Sequence, residues 1–260
     1  MLRHLRIAAR LAAILAWTLP CALVQSVLIL LPGRAKERLA RFYWRGIRRI
    51  LGMKITVLGA VSRNRPVLFV ANHSSWLDIV ALGSALPACF VAKGDIADWP
   101  VLKHIARLGR TIFVSRTRAG VARERGAMLE KLRAGDNLIL FPEGTTSDGC
   151  RVLPFQSAFL AMAEGESAPV VQPVTLVYDR IEGLPVHRRD RPTLSWYGDM
   201  DMSTHFPGVA SLGSLHATLV LDPPIPPAAY PDRKALSAAL RARIAANAAA
   251  LRQGRPVAPP

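Results

Sequence analysis

The sequence predicts an α/β fold: a mainly parallel mixed sheet with helices on its faces, preceded by an N-terminal helical membrane anchor. Three observations predict it. After Gly52, short runs of β-branched and aliphatic residues alternate with helical stretches, the pattern of strands buried on both faces and joined by crossover helices. Leu11 to Leu31 is an uncharged run of 21 positions. Arginines then recur at 34, 38, 41, 45 and 48, which on a helix form one stripe. The chain divides into membrane-anchoring helices at 1–50 and an α/β domain at 51–260.

The uncharged run, at about 1.5 Å per residue, matches a bilayer core of roughly 30 Å. Arg3, Arg6 and Arg10 precede it, and Pro20 sits in its middle, where a helix should kink or break. One kinked span and two short helices dipping into one leaflet both remain open. Residues 34–49 hold seven basic side chains and one acid. Leu39, Tyr43, Ile47 and Ile50 oppose the arginine stripe, so the segment reads as an interfacial helix with arginines toward lipid headgroups. Basic residues on both sides of the apolar run favour a hairpin with both ends on one face.

Strands are expected near 66–71, 89–92, 111–115, 137–141, 170–177 and 214–221. Helices are expected near 75–85, 99–107, 119–133, 156–164 and 232–251. Ligands of such sheets sit beyond the carboxyl ends of the strands. Three polar elements fall there: Asn72-His73, Arg116, and Pro142-Glu143-Gly144-Thr145.

The net charge is +16, so the surface prefers anionic lipid, an acidic carrier protein or nucleic acid. Aromatics make up 7%, and neither zinc-finger spacing nor an RNA-binding aromatic signature is present, which argues against nucleic acid. Three scattered cysteines without a CxxC pair read as reduced thiols. The six histidines do not pair at ligand spacing, so no metal site is expected.

In Asn72-His73-Ser74-Ser75-Trp76-Leu77-Asp78, the histidine and aspartate meet if His73 lies in the loop and Asp78 in the first helical turn. Asp78 then fixes the tautomer and leaves the other ring nitrogen as a general base. Ser75-x-x-Asp78 is equally a capping box.

With Gly109-Arg110-Thr111-Ile112-Phe113-Val114-Ser115-Arg116, Phe141-Pro142-Glu143-Gly144-Thr145 and Val171-Gln172-Pro173-Val174, this element resembles, in order and spacing, the four blocks of the glycerolipid acyltransferases typified by 1-acylglycerol-3-phosphate acyltransferase. The resemblance runs from about 66 to 177 and includes Phe90-Val91-Ala92-Lys93-Gly94. It implies His73 as general base and Asp78 as its orienting partner. Arg116, Glu143, Gly144 and Thr145 would form the acceptor site, with Lys93 meeting phosphate or the acyl carrier and Pro173 lining the acyl site. It further implies a lysophospholipid acceptor, acyl-CoA or acidic acyl-carrier protein as donor, no cofactor, and a membrane location on the cytoplasmic face of a bacterial inner membrane.

Direct attack of the acceptor hydroxyl on a thioester needs a base but no enzyme nucleophile, which agrees with the lack of a GxSxG motif. Backbone N–H groups after His73 are candidates for holding the oxyanion. The leading acceptor is 1-acylglycerol-3-phosphate. The alternative is a lyso-ornithine lipid, because Trp196-Tyr197-Gly198-Asp199-Met200-Asp201 looks like stretches in homologues that include such enzymes. A lipid hydrolase and a non-catalytic protein bound to anionic membranes are the competing classes.

Overall fold

A computed structural model describes residues 1–93, 112–114, 118–165 and 168–257. Helices α1 (Leu2–Leu28) and α2 (Ala35–Ile50) lead into strand β1 (Met53–Gly59). Then come β2 (Val67–Ala71), α3 (Leu77–Ala85), β3 (Cys89–Lys93), β4 (Ile112–Val114), α4 (Arg118–Arg133) and β5 (Leu138–Leu140). A 3-10 helix at Ser157–Ala163 precedes β6 (Val170–Ile181) and β7 (Leu184–Pro185), and α5 (Met202–Ser211), β8 (Leu215–Leu221) and α6 (Arg233–Arg252) complete the chain.

The strands form one sheet in the order β1-β8-β6-β2-β5-β3-β4, with β7 paired to β6. β6 is antiparallel to β8 and β7, and the remaining pairings are parallel. This is the mixed, mainly parallel sheet expected. Alternation sorts its side chains to two faces. Phe69, Ala71, Ile139, Val174, Leu176 and Leu219 pack with α2 and α3. Leu68, Val70, Leu138, Leu140 and Val171 pack with α4, the 3-10 helix and α6.

The expected helix at 99–107 lies outside the described residues. The segment expected as a helix at 156–164 is a 3-10 helix. β1 was not anticipated, because most of its residues are exposed or half-exposed and it carries no buried run. Nor was α5, which contains Pro207 but is capped by Asp201, whose carboxylate accepts from Ser203 N.

Pro20 does not end α1, which runs from Leu2 to Leu28 as one helix rather than two short ones. Its fixed φ suits a helix, so the loss is one backbone hydrogen bond, and α2 clamps α1 on both sides of it. Trp17 Nε1 donates to Tyr43 O at 3.1 Å, and Gln25 Nε2 donates to Lys36 O at 3.0 Å. These pairs make α1 and α2 an antiparallel hairpin about the turn at 29–34. Among the described residues, α1 is the helix long and apolar enough to cross a membrane, and little of it is buried. Leu15, Leu19 and Leu23 stand exposed along it.

The hairpin shares the core of the sheet domain. Ile14, Trp17, Tyr43 and Trp44 pack against the α2–α3 face of the sheet. Arg10 donates to Ala210 O in the last turn of α5 and to Leu212 O just after it. Part of the arginine stripe also faces protein: Arg45 donates to Ser84 O and Arg48 to Met53 O.

Candidate active site

β2 and β5 are neighbouring parallel strands, so the loops after them open side by side at one sheet edge. Asn72 takes over where β2 stops. Its side-chain amide donates to Leu176 O at 2.9 Å and its Oδ1 accepts from Leu176 N at 2.8 Å, an exchange that imitates a further ladder pair with β6. His73 leaves the sheet from that fixed point.

Asp78, in the first turn of α3 and 1% exposed, turns back toward the loop. His73 Nδ1 donates to its Oδ2 at 2.7 Å. The same oxygen accepts from Ser74 N at 2.7 Å and Ser75 N at 3.0 Å, while Tyr178 Oη donates to Oδ1 at 2.6 Å. The carboxylate therefore orients the imidazole and ties down the loop that leads into α3; of the capping box only the bond from Ser75 N forms, and no side chain at the N-cap caps the helix itself. Because a carboxylate only accepts, Nδ1 carries the proton and Nε2 presents a lone pair. Nε2 has no partner among the described residues, and the His73 side chain remains 18% exposed. The ring stacks on Phe141 with centroids 4.0 Å apart, which fixes its plane.

Glu143 is 3% exposed. Its Oε1 accepts from His73 N at 2.7 Å and its Oε2 from Leu153 N at 2.8 Å. It thus ties the His73 loop to the 150s loop. Burial pushes its carboxyl up to about 7, against the two backbone N–H groups that pull it down. Gly144 has φ +67°, and a Cβ there would meet Gln156 Nε2 at 2.6 Å, so the turn needs glycine. Thr145 is exposed beside it. Pro173 is buried in β6 opposite Val70. Lys93 ends β3, and Arg116 lies outside the described residues.

Of the expected oxyanion donors, Ser74 N and Ser75 N serve Asp78 and Leu77 N donates to Ser75 Oγ at 3.3 Å, which leaves Trp76 N without a hydrogen-bond partner among the described residues. A half-buried histidine, oriented by a buried carboxylate and with one nitrogen open, suits proton removal from a hydroxyl.

The acyltransferase family model matches residues 53–177, which hold the whole dyad. A lyso-ornithine lipid O-acyltransferase of Brucella abortus is 36% identical over 95% of both chains. This chain belongs to the acyltransferase family. A second lyso-ornithine lipid O-acyltransferase, of Pseudomonas aeruginosa, is 33% identical over 86% of both chains. The 1-acyl-sn-glycerol-3-phosphate acyltransferase of Neisseria meningitidis is 35% identical over 57% of this chain and 56% of its own. The crystal structure of the 1-acyl-sn-glycerophosphate acyltransferase of Thermotoga maritima superposes with a TM-score of 0.71, 19% identity, and coverage of 99% of this chain and 100% of that one. The acyltransferase is thus an enzyme of lipid acylation with an apolar N-terminal helix.

The sequence alone did not place three further parts of its site, although it offered the tract at Trp196 as a mark of the acceptor. Tyr178 lies a hundred residues from Asp78, and only alternation along β6 puts it on the α3 face. The segment after the helical turn at Arg191–Leu194 braces the dyad loop, with Trp196 N donating to Ser74 O at 2.8 Å. His205 Nδ1 accepts from Trp76 Nε1 at 3.0 Å while its Nε2–H donates to Ser195 O at 3.0 Å. Both nitrogens are thereby used by a neutral ring, and burial lowers its pKa.

Proposed function

We propose that this acyltransferase moves a fatty acyl group from a thioester donor, acyl-CoA or acyl-carrier protein, to the hydroxyl of a lyso-ornithine lipid. The observation that carries the chemistry is His73, oriented through Nδ1 by Asp78 and open at Nε2. Nε2 takes the proton of the acceptor hydroxyl as its oxygen attacks the thioester carbonyl. The new C–O bond forms, the C–S bond breaks, and the proton passes to the departing thiolate. Near full-length similarity to lyso-ornithine lipid O-acyltransferases favours that acceptor. Lysophosphatidate is the second reading, supported by the Neisseria enzyme over a shorter stretch.

Within this reading Glu143 and Gly144 shape the loop that holds His73, and Thr145 lies at the acceptor entrance. Arg116 and Lys93 meet the anionic groups of the substrates, and Pro173 stiffens the strand beside the acyl path. The exposed apolar side of α1 lies in lipid. The basic segments at both ends of the hairpin favour the cytoplasmic face of an inner membrane and contact with anionic lipid.

The test is acyl transfer by the purified full-length chain in mixed micelles, offering lyso-ornithine lipid and lysophosphatidate with each donor. Ester formation on lyso-ornithine lipid at the higher kcat/KM is the expected result. Preference for lysophosphatidate reverses the order of the acceptors, and free fatty acid as the main product would make the protein a hydrolase.

A further inference from the structure

Behind the His73 loop lies a solvent-open cleft, lined in part by Ser74, Gly149, Arg151, Arg191 and Arg252. The two half-buried guanidiniums converge on one acceptor. Arg191 Nη1 donates to Gly149 O at 2.8 Å and Arg252 Nη1 donates to the same oxygen at 3.3 Å. Gly149 has φ +73°, and a Cβ there would meet Ser195 Oγ at 2.4 Å, so only glycine brings this carbonyl so near. Arg151 is exposed at the cleft and has no hydrogen-bond partner among the described residues.

Among the described residues, no carboxylate forms an ion pair with any of the three. Asp148, the neighbouring acid, accepts from Cys150 N at 2.9 Å. Burial lowers the pKa of Arg252 and the neighbouring charge of Arg191 lowers it further, against the opposing pull of Cys150, Asp148 and Glu143. Two like charges half-removed from water and sharing one neutral acceptor gain from an anion that bonds to them directly. Ser74 Oγ, also at the cleft, has no hydrogen-bond partner among the described residues, and Ser74 N already serves Asp78. An anion held here sits one residue away from the base.

We propose that Arg151, Arg191 and Arg252 form an anion-binding subsite that holds a phosphate or carboxylate of a substrate. The inference rests on the acyl-transfer reading for its substrate, but not for its chemistry. A donor phosphate and an acceptor headgroup are the two sources of such an anion.

The experiment uses the full-length chain in detergent, as wild type, as Arg151→Gln/Arg252→Gln, and as Arg252→Lys to retain charge. Thermal unfolding is followed in inorganic phosphate against chloride at equal ionic strength, and KM is measured separately for donor and acceptor. Phosphate is expected to raise the wild-type midpoint but not that of the double variant. One KM should rise about tenfold, the size of one charge-assisted hydrogen bond, with kcat within about twofold. A rise confined to the donor KM places a donor phosphate in the cleft, and one confined to the acceptor KM places the headgroup there. Arg252→Lys should fall between the two proteins. Equal KM values in wild type and double variant overturn the proposal, whatever phosphate does to the midpoint. If wild type transfers no acyl group at all, the acyl-transfer reading fails while the phosphate arm still decides the subsite: stabilisation of wild type alone supports it, and equal midpoints overturn it.

Discussion

Tyr178 Oη donates at 2.6 Å to Asp78 Oδ1, the oxygen that His73 does not use. Both oxygens of a buried carboxylate are thereby engaged, and β6 reaches the dyad from the centre of the sheet. Burial, with the charge and hydrogen bond of Asp78, holds the Tyr178 hydroxyl well above its ordinary pKa, so it remains a donor across the working range.

Tyr178→Phe leaves that oxygen without a donor. The expected cost is about 1–3 kcal/mol of stability, measured by denaturant unfolding in detergent. Turnover should fall only several-fold, since Ser74 N, Ser75 N and His73 still hold Oδ2. Unchanged stability would mean that the hydroxyl is not needed by the carboxylate.

His73→Ala is expected to lower kcat by about 10²–10⁴, the range for a lost general base, with little change in thermal midpoint. Asp78→Asn should lower kcat into the same range by disturbing the imidazole's orientation, and should also lose stability, because the carboxylate holds Ser74 N and Ser75 N of the loop before α3. An Asp78→Asn protein with full turnover and reduced stability would leave bracing this loop as the residue's single task.

Glu143 makes stability pH-dependent. Its folded pKa, about 7, lies above the ordinary value of 4.5. A raised carboxyl contributes stability in full below the unfolded pKa and loses it as pH rises through the folded one. The difference corresponds to about 3 kcal/mol. Wild-type stability should therefore lose a component between about pH 4.5 and 7 that Glu143→Gln lacks. Parallel stability–pH curves for the two proteins would show that the carboxyl titrates normally.

Gly46→Ala is expected to loosen the α1–α2 hairpin, since the new Cβ would lie 2.1 Å from the Trp17 ring. Overpacking of this kind costs about 1–3 kcal/mol. The cost should shrink in a Trp17→Ala background, so a double-mutant cycle on unfolding free energy provides the check. Additive effects would mean that the two residues do not press on one another.

The dyad, the sheet class and the neighbouring loops were legible because each rests on local signals: an apolar run, then a polar cluster at its end. The role of Glu143 was not. Its sequence context, Pro142-Glu143-Gly144-Thr145, reads as a turn offering a carboxylate to a ligand, whereas burial turns both oxygens to backbone N–H groups. Tyr178 and the arginines at Gly149 were illegible for another reason: their partners are set by sheet order, which no local pattern encodes. Of the two forms open at Pro20, the single helix formed and the pair of short helices did not, because backbone propensity takes no account of the helix that packs beside it.

Asn72 fixes a count as well as a position. The sheet hands over to a side chain at this residue, and six residues later Asp78 must face back from the first turn of α3. One residue inserted between them would lengthen the loop from the Asn72 anchor to α3, so that either the helix start or the His73 ring must shift and the carboxylate parts from the imidazole. Substitutions around this stretch alter energies by degrees, whereas a change in its length acts on the geometry of the pair itself.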